Sequence, residues 1–73
     1  MAAGAAASEV TEWPELLGTE ATWAKSVIEA SHPEKHVVLV RAGNMMTMDW
    51  RADRVRVMYS VETGLVTSTP RVG

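Results

Sequence analysis

Four large apolar side chains, Met45, Met46, Met48 and Trp50, crowd the stretch from Gly43 to Ala52, and two short polar ones, Thr47 and Asp49, flank Met48. Just downstream stand Arg54 and Arg56, two apart. On an extended strand that spacing puts both guanidiniums on one face. A guanidinium offers several donors in a fixed fork, so a pair can hold a carboxylate, a hydroxyl and main-chain carbonyls at once. An Asp49 carboxylate tied to Arg54 or Arg56 would close the base of the stretch. A solvated arginine face is the plainer reading of the same two residues and would contribute little. The other candidates for chemistry are poorer. His32 and His36 are four apart, as on a metal-binding helix, but Pro33 interrupts them and no carboxylate is placed to complete a set, so no metal is expected. There is no Cys to act as nucleophile, and no Ser-His-Asp set, paired carboxylates or phosphate loop. The chain is not expected to be an enzyme or to need a cofactor.

Seventy-three residues make one small domain. Such a chain buries only about 60% of the surface its unfolded form exposes, and the absence of Cys removes disulfides as a means of support. The net charge of −2 argues against a nucleic-acid or membrane partner. The Arg-Val-Arg stretch near Trp50 would otherwise suit single-stranded nucleic acid. Charge is unevenly spread: all five Arg lie from Arg41 onward, and six of nine acids lie at or before Glu34. No apolar run reaches the roughly 20 residues that span a bilayer. The Ala-rich start has neither a basic region nor a long apolar one, so it does not read as a signal peptide. Residues 1–10 are expected as a disordered tail, residues 11–73 as a single domain, and the compartment stays open.

The elements that must position the loop follow in order. Pro14 biases Trp13 toward extended structure, so 11–16 is expected as an arm with Trp13 and Leu16 in the core. Gly18-Thr19 breaks the chain, with Thr19 or Glu20 as helix N-cap. Ala21, Ala24, Val27 and Ile28 then form a stripe at helical spacing to about Ser31, and Pro33 ends the helix. His36 to Ala42 is a β-branched run, expected as a strand buried on both faces. Asp53 to Ser60 alternates, with Val55, Val57 and Tyr59 on one side and Arg54, Arg56 and Met58 on the other. Glu62-Thr63-Gly64 is a turn, and Leu65 to Thr69 is expected as a last strand ended by Pro70. The fold class is therefore α+β: one helix packed on a small mixed β-sheet, with a long exposed loop over 43–52. A loop this long, carrying four large hydrophobes, calls for a binding partner unless it folds back into the core.

Three segments at matching spacing carry a resemblance to a known family: Thr-Glu-Trp-Pro-Glu-Leu at 11–16, Thr-Met-Asp-Trp-Arg-Ala-Asp-Arg-Val-Arg at 47–56 and Pro-Arg-Val-Gly at 70–73. Together they resemble the potato inhibitor I family of serine protease inhibitors, most of all the cereal subtilisin/chymotrypsin inhibitors. The resemblance implies a reactive bond at Met48-Asp49, with Met48 filling the protease specificity pocket. It implies that Thr47 and Asp49 are braced by Arg54 and Arg56, helped by Gly73 and Arg71. It also implies that Met45, Met46, Thr47 and Trp50 contact the protease. The expected partners are subtilisin-like and chymotrypsin-like proteases, and the chain is expected to act as a monomer. The alternative is a non-inhibitory interaction module of the same fold, whose loop is cut as a substrate. Four positions depart from the family pattern: Arg41 stands where Pro is common, Glu20 where Ser is usual at the helix start, Trp23 for a charged residue, and Met45-Met46 for smaller β-branched residues. The Glu20 change is expected to weaken the cap.

Overall fold

The computed structural model describes residues 10–73. The tail expected over 1–10 lies outside these residues except for Val10, which is exposed. Thr11 to Trp13 run extended: Trp13 N–H donates to Pro70 O at 2.9 Å and Val72 N–H to Thr11 O at 2.9 Å. The arm does not stay extended to Leu16, because Pro14–Leu16 closes a 3₁₀ turn, with Leu17 N–H bonded to Pro14 O at 3.2 Å. Pro suits the first position of such a turn, where its missing N–H costs nothing. The turn drives Trp13 and Leu16 into the core, where both are buried.

Glu20 caps helix α1 (Ala21–Ser31), its carboxylate accepting from Thr22 N–H at 3.1 Å and Trp23 N–H at 2.9 Å. The longer side chain folds back onto the free N–H groups at the helix start, so a cap is made despite the change from serine. Ala21, Ala24 and Ile28 are buried and Val27 packs beside them. The helix closes with His32 N–H on Ile28 O at 2.8 Å, just before Pro33. The His32 ring stands edge-on to Trp13, with centroids 5.5 Å apart, and His36 is exposed. These are packing and surface roles, and no cluster able to hold a metal occurs among the described residues.

Three strands follow: β1 (His36–Arg41), β2 (Arg54–Tyr59) and β3 (Arg71–Val72). Their order is β1-β2-β3, with β1 parallel to β2 and β3 antiparallel to it. The helix on a small mixed sheet is as expected. Two details differ. β1 is an edge strand covered on one face only, so Val37 is buried while Val38 is exposed. The last strand lies beyond Pro70, because its pairing is set by Val55↔Val72 and Arg56↔Arg71. Leu65 and Val66 make only isolated bridges, to Glu20 and Tyr59. Central strand β2 divides the molecule. Val55 and Val57 point into the core with Ile28; Arg54, Arg56 and Met58 point to the other side and are half-buried there. No helix among the described residues is long and apolar enough to cross a membrane.

Candidate functional site: a loop held over an arginine pair

The connection from β1 to β2 leaves the sheet after Ala42 N–H bonds Tyr59 O at 2.7 Å. It turns at Gly43, whose φ of +91° is a conformation that favours glycine. It returns through Arg54 N–H on Arg51 O at 3.3 Å, and His36 N–H on Asp53 O at 2.6 Å. Among the described residues, no main-chain N–H from Met45 to Trp50 donates to another main-chain group. The loop's N–H groups are therefore free of main-chain partners, the feature by which an extended peptide is gripped by a partner. Its large side chains do not fold back into the core. Met45 and Met48 are each 98% exposed, Trp50 70% and Met46 39%.

Without internal main-chain bonds, the loop takes its shape from the arginines beneath. Arg54 Nη2 donates to Asp49 O at 2.7 Å and Nη1 reaches Asp49 Oδ2 at 3.3 Å. The same guanidinium binds Gly73 O, through Nε at 2.8 Å and through Nη2. Arg56 Nη2 donates to Thr47 Oγ1 at 2.7 Å and lies 3.7 Å from Asp49 Oδ1. The two side chains are only 16% and 20% exposed. They are thus far from a solvated face and shielded enough for these charge-assisted bonds to matter. The Thr47 hydroxyl, with Arg54 and Arg56 behind it, holds the Asp49 carboxyl below its usual range. Thr47 and Asp49 are drawn inward on either side of Met48, leaving its side chain to project into solvent.

Gly73 joins the loop to the sheet. Its N–H donates to Arg54 O at 2.8 Å and its O accepts from Arg51 N–H at 3.0 Å. Its φ is +143°, and a Cβ there would sit 3.2 Å from Trp50 Cδ1. The five-membered ring of Trp50 therefore approaches this glycine closely, leaving little room for a side chain there. Arg71 lies beside Arg56 and lines the cleft under Met46, but among the described residues it makes no hydrogen bond to the loop. It belongs to β3, and its Nε lies 3.3 Å from Glu12 Oε1 on the arm. Two contacts went unseen in the sequence: the Arg51 N–H above, and Lys35 Nζ bonded to Ala52 O at 2.8 Å. Lys35 is 17 residues away, and nothing in its surroundings marks it. Under the first half of the loop, Met46, Arg56, Met58, Val72 and Gly73 help line a cleft of about 220 Å³.

Comparison with known proteins shows the family and the fold. A model of the potato inhibitor I family matches residues 4–73. The chain is 44% identical over 61 residues to a protein of Momordica charantia named "Glu S.griseus protease inhibitor", covering 84% of this chain and 88% of that one. It is 38% identical over 63 residues to the "Inhibitor of trypsin and hageman factor" of Cucurbita maxima, covering 86% and 91%. Its fold is similar to the crystal structure of bitter gourd trypsin inhibitor, with a TM-score of 0.83, 36% identity and coverage of 90% of this chain and 96% of that one. One helix on a three-stranded mixed sheet, with a loop slung between parallel strands, is the fold of a class of serine protease inhibitors rather than enzymes. The chain belongs to the potato inhibitor I family.

Proposed function

We propose that this chain blocks subtilisin-like and chymotrypsin-like proteases by offering Met48-Asp49 as a peptide bond that binds like substrate and is cut only slowly. The observation that carries this reading is the position of Met48, which is 98% exposed between Thr47 and Asp49, both tied to the arginine pair. A serine protease grips an extended backbone and fills one pocket with one side chain. The unpaired N–H groups from Met45 to Trp50 suit the first requirement. Met48 suits the second in enzymes with an apolar pocket, being unbranched and uncharged.

Binding need not be followed by release. A loop already held in its bound shape loses little entropy on docking. Arg54 holds the main-chain oxygen and carboxylate of Asp49, and after acylation it would keep the new amine beside the acyl group, favouring religation over escape. Met45, Met46 and Trp50 extend the contact on either side. An interface of about 1,600 Å² is usual for such pairs.

The test is a titration of subtilisin and of chymotrypsin with the purified protein, followed by mass spectrometry of the mixture. Stoichiometric, lasting inhibition with mostly intact chain is the expected result. Brief or absent inhibition with rapid cleavage after Met48 would replace this reading with that of an interaction module cut as a substrate.

A further inference from the structure

The loop carries three thioethers in two environments. Met45 and Met48 are each 98% exposed. Met46 is 39% exposed and lies over the cleft it shares with Arg56 and Met58. Met58 is half-buried, its sulfur 3.8 Å from the Ser68 hydroxyl. The chain has no cysteine, so no thiol competes for an oxidant. The position assigned to the protease pocket is thus also among the most accessible sulfurs in the described chain.

We infer that Met48 is a reversible oxidation site, and that its conversion to the sulfoxide switches off inhibition of apolar-pocket proteases. The inference rests on the bait role proposed for Met48. The oxidant is a peroxide. The sulfur lone pair attacks one peroxide oxygen, the O–O bond breaks and an S–O bond forms. The hydroxide that leaves takes the proton from the transferred oxygen and departs as water. Methionine loses two electrons and the peroxide gains them, so the step balances without a further reactant.

The consequence is local. The bonds that hold the loop run through Thr47 Oγ1, the Asp49 carboxylate, Asp49 O and Gly73 O. None involves the Met48 side chain, so the sulfoxide leaves the loop braced. What changes is the occupant of the pocket: a flexible apolar group becomes polar, and an apolar pocket offers its S–O group no partner. The inhibition constant is expected to rise roughly tenfold to a hundredfold. Reduction by methionine sulfoxide reductases restores the thioether, one enzyme for each epimer. Met45 is a built-in control, equally exposed but not the pocket residue. Met48 should also resist oxidation inside a preformed complex with subtilisin.

The experiment treats the full chain with graded hydrogen peroxide, maps sulfoxides by peptide mass spectrometry and measures inhibition of subtilisin on the same samples. The expected result is conversion of Met45 and Met48 before Met46 and Met58, with inhibition lost in step with Met48 and recovered after enzymatic reduction. Measured against its own untreated inhibition constant, Met48→Leu should change little on the same treatment while Met45 is still oxidised, and Met45→Leu should weaken, against its own untreated value, in step with Met48 conversion. Conversion of Met46 or Met58 ahead of Met48, or undiminished inhibition at full Met48 conversion in a potent protein, overturns the proposal alone. An untreated protein that inhibits neither subtilisin nor chymotrypsin overturns the bait role, and this proposal with it.

Discussion

At the scale of single residues, two kinds of side chain would divide the work of an inhibitory loop, one meeting the partner and one holding the shape. Met48 is of the first kind, so changing it should alter choice of enzyme and little else. Met48→Lys is expected to shift preference from chymotrypsin toward trypsin, read from the two inhibition constants with the melting temperature unchanged; an unmoved ratio would mean the pocket residue lies elsewhere. Arg54 and Arg56 are of the second kind. Arg54 serves Asp49 and Gly73 together, whereas Arg56 serves chiefly Thr47. Arg54→Ala should therefore be the more damaging, leaving the part-buried Gly73 O and the exposed Asp49 oxygens without their shared donor. Hydrogen bonds involving a charged group contribute about 1.5–3 kcal/mol, so its inhibition constant should rise about tenfold or more. Arg56→Ala should show a smaller rise, and both should speed cleavage in a timed digest. Equal, unaltered inhibition by both variants would show that the loop holds its shape by other means.

At the scale of elements, carboxylates secure both a helix end and the loop. Glu20 and Asp49 are held below their ordinary values, Glu20 by the Thr22 hydroxyl and the Thr22 and Trp23 N–H groups, Asp49 by Thr47 and then the arginines. A carboxyl whose folded value is depressed adds stability in full above its unfolded value, near pH 4, and loses it as pH falls through the folded one. The melting temperature should thus drop from about pH 4 downward, and Glu20→Gln should flatten that drop; an unchanged profile in the variant would remove Glu20 from the account. The sequence announced most of these elements through local signals. The α1 stripe, the alternation of β2 and the content of the loop can each be read within a short window. What it hid depends on distant partners. β3 is two residues long and exists because β2 lies beside it, while the run Leu65 to Thr69 has strand-like composition but only bridges to pair with. Val38 looks like its neighbours in β1 and is exposed because α1 covers only the other face of that strand. Arg71 looks like a third brace residue, but its place on β3 turns it to Glu12.

At the scale of the whole molecule, a small core carries the stability and the loop stands apart from it. Ile28, Val55 and Val57 have no exposed surface, and the residues that hold the loop lie on the opposite side of β2. Ile28→Ala should cost about 2–5 kcal/mol, a large share of the roughly 5–15 kcal/mol typical of a domain. Denaturant titration should register that loss while inhibition by the folded fraction stays the same; a matching loss of inhibition would mean the two sides of β2 are coupled. The parallel pairing of β1 with β2 bears on a further matter. The Met48-Asp49 bond lies in the only stretch of chain joining those two strands, so hydrolysis there yields two polypeptides, 1–48 with α1 and β1, and 49–73 with β2 and β3. Six residue pairs from His36↔Arg54 to Arg41↔Tyr59 span the cut, and both pieces contribute to one core. The nicked product is expected to remain a non-covalent heterodimer of complementary halves, eluting as one species on gel filtration and separating only when denatured; two species in native buffer would show that the pairing across the cut cannot hold them. If Met48-Asp49 is the bond attacked, a protease that completed the cut would gain no loose ends, because both halves would keep the shape it first met.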